Sequence, residues 1–413
     1  MDANGGAARR LRIGLIAPPL VRIPPRGYAG TERIVAALAI GLHERGHRVT
    51  VFASGDSDLP CEVVPVVPHS LWGLGLRGDT SAYQEMSVAA AWEQCERFDI
   101  LHSHVEQAGF LMARHCPTPV VSTLHKRVDT GGVAELIDMM PDIPLIAISE
   151  SQRRWNPDAN WVATIHHGLD FSATPSSGDR GSYLLLVGRL SPEKGVSEAI
   201  AVARRTGRRL VMAAKTYESE EHEMFDSIVR PAIDDGIVDW RGEVDGEERD
   251  RLMAGAYATL MLGAWPEPFG LVAIESMATG TPVIARRAGG VTETVEHGVT
   301  GFLVDDVHEA VLAVGRIEGL RRERIAAYAR GRFSSDRMTT LYEQAYASVL
   351  DRAEASSPGA SRRVAISIQP ERTALTSSRL ANRSSAIDPP RRIRPVAASA
   401  TRGVGGPRQS QPA

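Results

Sequence analysis

Lysine is nearly missing from this chain. Among 413 residues and 47 basic positions, only Lys126, Lys194 and Lys215 are lysines. Where a sequence drifts this far toward arginine, a retained lysine marks a place for a compact point charge, unless chance left it there. Cysteine is as scarce. Cys61, Cys95 and Cys116 are odd in number, widely spaced and never in Cys-x-x-Cys. That argues against a disulfide framework or a zinc site, fits a reducing cytosol, and makes a cytoplasmic location the expectation. Long apolar runs are missing too, so no transmembrane segment is expected. Ile13–Ala17 follows three arginines, is short, and meets Pro18-Pro19, so it reads as a first strand and not a signal peptide.

Aromatic residues stop altogether beyond Ala355, where Ser, Pro, Ala, Gly and Arg dominate. A segment this poor in apolar bulk cannot offset its ordering entropy, so 355–413 reads as a disordered tail. From Ala355 onward ten arginines face only Glu371 and Asp388, a balance of +8; the net charge of −3 then leaves −11 for the rest. A body that acidic excludes nucleic acid as a partner. Peripheral membrane contact through the tail's arginines stays open, although no apolar anchor accompanies them.

What is present is alternation. Short apolar runs at 11–17, 48–52, 100–101, 119–124, 145–148 and 162–165 are separated by helical or loop-like stretches. A helix is predicted from Thr31 to about Arg45, stopped by Gly46. Residues 59–75 resist assignment. After a linker at 171–181 the pattern restarts at 183–187, 210–213, 237–240 and 258–262. Strands alternating with helices imply parallel sheets covered on both faces. The fold class expected is α/β, with two doubly wound domains at 1–175 and 182–335 facing a cleft. A last amphipathic helix is predicted at 336–353.

Four motifs carry chemistry. Gly188-Arg-Leu-Ser-Pro-Glu-Lys-Gly195 joins a strand to a helix and delivers Arg189 and Lys194 to the strand's C-terminal edge, where cations and helix amides suit a diphosphate. The other reading is a solvated loop with Lys194 paired to Glu193. Trp265-Pro-Glu-Pro-Phe-Gly-Leu271 leads into a helix that can begin only near Gly270, because Pro268 disfavours helix at Glu267. Gly280 suits its left-handed end. By spacing, Leu271, Ile274, Glu275 and Ala278 share one apolar face. Glu275 either has a partner there or skirts the stripe to water, and Glu267 stands just before the helix amides. Gly27-Tyr-Ala-Gly-Thr-Glu32 is a turn or a ligand loop, where Gly30 lets backbone approach a ligand and Thr31 opens the helix. His125, after Ser122-Thr-Leu, and His104, after Asp99-Ile-Leu-His-Ser, both end strands on the cleft side.

Glu267 and Glu275, with seven residues between them that include Pro-Phe-Gly, and followed by Thr281-Pro-Val, resemble the signature of retaining glycosyltransferases of family four, which have the GT-B fold. Gly-Arg-…-Lys-Gly at 188–195 resembles the same family, and the likeness spans roughly 10–350. Gly27–Arg33 and Lys215 resemble an avilamycin-pathway subgroup. The resemblance implies a nucleoside-diphosphate sugar as donor and a hydroxyl acceptor that is a small molecule, lipid or glycan. It implies that Arg189 and Lys194 hold the diphosphate and that Glu275 holds the ribose hydroxyls. Glu267 would stand near the donor sugar, His125 at the reacting centre, and Phe269, Gly270 and Leu271 along the donor. Gly30 would face the donor phosphates, with Thr31 and His104 toward the acceptor. The last helix would cross back to the first domain. None of the four motifs contains the Asp-x-Asp with which GT-A transferases usually bind a metal ion. Fixed cations replace it, so no metal and no cofactor are expected. A catalytically inactive nucleotide-sugar binder and a nucleotide-sugar epimerase remain as alternatives.

Overall fold

The structure is a computed structural model that describes residues 9–27, 29–175 and 181–355. The expected disordered tail, apart from Ala355, and Tyr28 of the Gly27–Glu32 turn lie outside the described residues.

Two wholly parallel sheets form. The first is built from β1 (Arg12–Ile16), β2 (Arg48–Ser54), β3 (Glu62–Val67), β4 (Ile100–Ser103), β5 (Val120–Thr123), β6 (Leu145–Ala147) and β7 (Trp161–Thr164), in the order β3-β2-β1-β4-β5-β6-β7. The second is built from β8 (Leu184–Arg189), β9 (Leu210–Lys215), β10 (Val238–Trp240), β11 (Ala258–Met261), β12 (Val283–Arg286) and β13 (Gly301–Val304), in the order β10-β9-β8-β11-β12-β13. Most central strands are buried on both faces, as continuous apolar runs require. β3 is the strand that resisted assignment. Its Pro65 cannot donate to a ladder, which an edge strand tolerates.

Each sheet reverses its strand order once, between β1 and β4 and between β8 and β11. Ligands of doubly wound sheets bind beyond the strand C-termini at such a switch point. The topology therefore sends the loops after β1, β4, β8 and β11 to the sites where ligands are held. These loops carry Gly30, His104, Lys194 and Glu267.

The helix Leu271–Ala278 lies between Gly270 and Gly280, both left-handed at φ 92° and 91°. Its expected one-sided stripe needs correction. Val272 to Ala278 are all buried, because β11 and β12 and the helices Gly246–Gly255 and Arg322–Arg332 pack around it.

The two lobes are tied at several points. Leu169 and Phe333–Ser335 exchange backbone hydrogen bonds of 2.9 Å. Ser149 Oγ accepts from Gln152 N at 2.9 Å, capping its helix, and donates to the Pro268 carbonyl at 2.6 Å. Glu293 accepts from the backbone N–H groups of Glu150 and Ser151 at 2.8 and 2.7 Å. The last helix, Ser335–Ala355, buries Tyr342 and Tyr346 completely. Tyr346 OH lies 2.8 Å from His102 Nδ1 on β4, and His102 Nε2 lies 2.7 Å from Thr123 Oγ1 on β5. The helix thus returns to the first sheet.

Candidate active site

A cavity of about 550 Å³ opens where the two switch points meet, within the usual range for ligand pockets. Gly30, Thr31, His104, Arg189, Lys194 and Glu267 line it, as do all three lysines of the chain. Lysine scarcity was the signal that pointed here.

The second-sheet wall is cationic. Arg189, Lys194, Lys215 and Arg286 stand on it. Lys194 Nζ donates to Glu267, not to Glu193 as the solvated-loop reading had it. Glu193 is taken by Arg189 at 2.6 Å, and Glu221 lies 3.3 Å from Arg189 Nε. Each cation therefore has its direction set by a carboxylate while remaining about one-third to one-half exposed. Burial lowers the Lys215 pKa.

The first-sheet wall carries Glu32, His104, Glu106 and Lys126. Burial raises the Glu32 carboxyl to about 7, against the opposing pull of its own backbone N–H, Lys215 and Lys126. Burial likewise raises Glu106 to about 7, against Lys126 and the backbone N–H groups of His125 and Lys126. Glu106 accepts from the His125 N–H at 3.3 Å.

His125 does not line the cavity. It stands behind His104, with His104 Nδ1 3.0 Å from His125 Nε2. His125 stacks on His167 at 5.2 Å, and His167 meets the edge of Phe269 at 5.0 Å. Burial holds His125 and His102 down to about 3, and His104 and His167 well below 6.5, so these rings are neutral at pH 7. Phe269, Gly270, Leu271 and Glu275 are also off the wall, although Pro268 and Val272 beside them are on it. The Phe269 side chain packs into the core against His166, His167 and Phe333.

Glu275 is only 4% exposed and has two partners, so it does not skirt to water. Its Oε1 takes Arg33, from the first-lobe helix Gly30–Glu44, and lies 3.4 Å from Arg249. Its Oε2 is buried with no hydrogen-bond partner. A buried carboxylate oxygen left bare is the acceptor that a ligand hydroxyl would satisfy.

Comparison with known proteins gives two adjacent matches. The family model for Glycosyltransferase Family 4 covers residues 28–180, and that for Glycosyl transferases group 1 covers 172–332. The chain is a glycosyltransferase with the GT-B fold. This glycosyltransferase is 28% identical over 334 residues to the D-inositol 3-phosphate glycosyltransferase of Mycolicibacterium smegmatis, covering 68% of this chain and 76% of the other. It is 27% identical over 371 residues to a glycogen synthase of Mycobacterium tuberculosis, covering 78% and 89%. The crystal structure of AviGT4, a glycosyltransferase involved in avilamycin A biosynthesis, superposes with a TM-score of 0.62 at 26% identity, covering 83% of this chain and 98% of that one.

Several residues of the glycosyltransferase's site escaped sequence reasoning. Arg33 and Arg249 hold Glu275 from elements far apart in the chain, and no local pattern announces those contacts. Glu32 closes the Gly27–Glu32 motif, which gives it no role, and Glu106 follows a strand without any motif. The Arg127 guanidinium lies between Trp155 at 4.9 Å and Trp265 at 4.4 Å, bringing the Glu267 loop against the first lobe. The sequence also contains one Asp-x-Asp outside the four motifs, Asp56-Ser57-Asp58. Asp56 is used structurally, accepting from Ser70 N at 3.0 Å and Ser70 Oγ at 2.9 Å. Among the described residues no group of three His, Cys, Asp or Glu is arranged to hold a metal, and no helix is long and apolar enough to cross a membrane.

Proposed function

We propose that the enzyme transfers a sugar from a nucleoside-diphosphate sugar to a hydroxyl acceptor with retention of anomeric configuration, and needs neither metal nor cofactor. The gathering of Arg189, Lys194, Lys215 and Arg286 on one wall, at the β8/β11 switch point, carries this reading. In it, residues 182–335 bind the donor, and residues 1–175 with the helix 336–353 bind the acceptor. The scarcity of cysteine fits work in a reducing cytoplasm.

The chemical problem is charge. As the glycosidic bond breaks, negative charge grows on the leaving phosphate and positive charge on the sugar ring. Arg189 and Lys194 answer the first, and preorganised charge of this kind is commonly the largest catalytic contribution. Glu267 orients Lys194 and lies toward the sugar. Glu275, with Oε2 bare, takes a ribose hydroxyl. Gly30 and the amides at Gly270–Leu271 approach the phosphates, and Phe269 holds that loop by packing. His125, neutral and tied to His104, acts on the sugar through that ring and is not a general base. The acceptor hydroxyl, near Thr31 and His104, attacks from the face that the phosphate leaves, and the phosphate takes its proton.

The test is incubation with a panel of nucleotide sugars and hydroxyl acceptors, with and without excess chelator, the product's anomeric configuration being read by NMR. Slow hydrolysis of at least one donor, transfer with retention, and insensitivity to chelator are expected. An inverted product, or activity lost to chelator and restored by Mg²⁺ or Mn²⁺, would refute the corresponding part. No turnover of any donor would refute the whole.

A further inference from the structure

Glu106 is the one residue other than glycine among the described residues with positive φ, at 50°. A carboxylate residue adopts this conformation only against a steric cost, and such strain concentrates at functional sites. Glu106 stands on the cavity wall two residues after His104, with its carboxylate against the His125 N–H. His104 lines the same wall, is 1% exposed, and has no hydrogen-bond partner for Nε2. A sealed ring nitrogen without a partner, beside a carboxylate on a strained backbone, is a ready polar pair for a ligand.

Charge narrows what that ligand is. The cations of the cavity divide unevenly. Arg189, Lys194, Lys215 and Arg286 belong to the second-sheet wall, with Lys215 reaching across to Glu32, whereas Lys126 is the cation that acts on Glu106. A phosphate or carboxylate entering beside Glu106 would meet that acidic side chain with Lys126 as its one ammonium, away from the cations of the opposite wall. Hydroxyls would meet hydrogen-bond acceptors.

We propose that Glu106, with His104 beside it, binds the sugar acceptor, and that this acceptor is an uncharged polyol presenting neighbouring hydroxyls. Glu106 accepts from one hydroxyl, and His104 Nε2 takes a second. The proposal rests on the donor reading above, since it requires the diphosphate on the opposite wall. Glu106 is then a determinant of acceptor choice and adds little to donor breakdown.

The experiment uses the full chain and whichever nucleotide sugar it hydrolyses. Transfer is measured to myo-inositol and methyl glucoside, and to their phosphate esters, alongside hydrolysis. In the wild type, kcat/KM for a neutral probe should exceed that for its phosphate ester by tenfold or more. In Glu106→Gln, checked for folding by circular dichroism and melting, the ratio of transfer to hydrolysis should fall at least tenfold, and Glu106→Asp should recover part of it. A purely structural role would lower both rates together and leave the ratio alone. Preference for the phosphate esters, no transfer to any neutral probe, or an unchanged ratio in Glu106→Gln would each overturn the proposal. Should no donor be hydrolysed at all, the donor reading fails and this one with it; hydrolysis with an unchanged ratio removes this one only.

Discussion

Replacing Glu275 with glutamine separates anchoring from ligand binding. The carboxylate is buried between Arg33 and Arg249, which are 19% and 9% exposed. Removing one partner of a buried ion pair typically costs 3–5 kcal/mol, because a charge is left in low dielectric. Two features put this site at the low end. Arg249 keeps Asp250 at 2.8 Å, and Arg33 has some access to water. Glu275→Gln should therefore destabilise the body by about 3 kcal/mol. Urea unfolding followed by tryptophan fluorescence reads this as a lower midpoint at unchanged slope. Steady-state kinetics on the folded fraction read the second role. If Oε2 takes a ribose hydroxyl, donor KM should rise about tenfold or more, the value of roughly one charge-assisted hydrogen bond. Arg33→Ala gives the control, loosening the tie between the lobes while leaving Oε2 chemically intact. A loss below about 1 kcal/mol with donor KM unchanged would show that Glu275 neither anchors nor binds.

Two further outcomes follow from the geometry. Lys194→Ala should change stability by about 0.5 kcal/mol or less, as expected of a partly exposed pair, yet lower kcat by roughly 10²–10³. Lys194→Arg should rescue it only partly, since a planar fork replaces a point charge, and near-normal kcat at saturating donor in the Ala variant would assign Lys194 the wrong role. Acid should weaken the fold. His102, His104, His125 and His167 have depressed pKa values, so the unfolded chain takes up their protons first. Their contribution is complete above about pH 6.5 and is lost as pH falls below it. Glu32 and Glu106, raised to about 7, act oppositely and gain stability as pH falls from about 7. Four histidines outweigh two carboxyls, so the urea midpoint should drop between pH 7 and 5; a midpoint that rose on acidification would contradict the burial of the histidines.

The sequence by itself determined the two parallel sheets, the central helix with its glycine ends, and the loops at 188–195 and 265–271. These are local matters: short apolar runs, proline and glycine punctuation, and cations placed just after a strand. It also marked the lysines without saying why. Only the tertiary structure decided their use, because Lys126, Lys194 and Lys215 come from three different strand ends that meet at one cavity. The partner of Lys194 was decided the same way. Its neighbour Glu193 turns to Arg189, and Glu267, 73 positions away, takes its place. Glu275 could be recognised as unusual from its apolar surroundings, but Arg33 and Arg249 reach it from distant helices. The strained Glu106 left no trace in composition or spacing. A side chain's partners and its dielectric surroundings depend on which elements the topology brings together, and no periodicity records that.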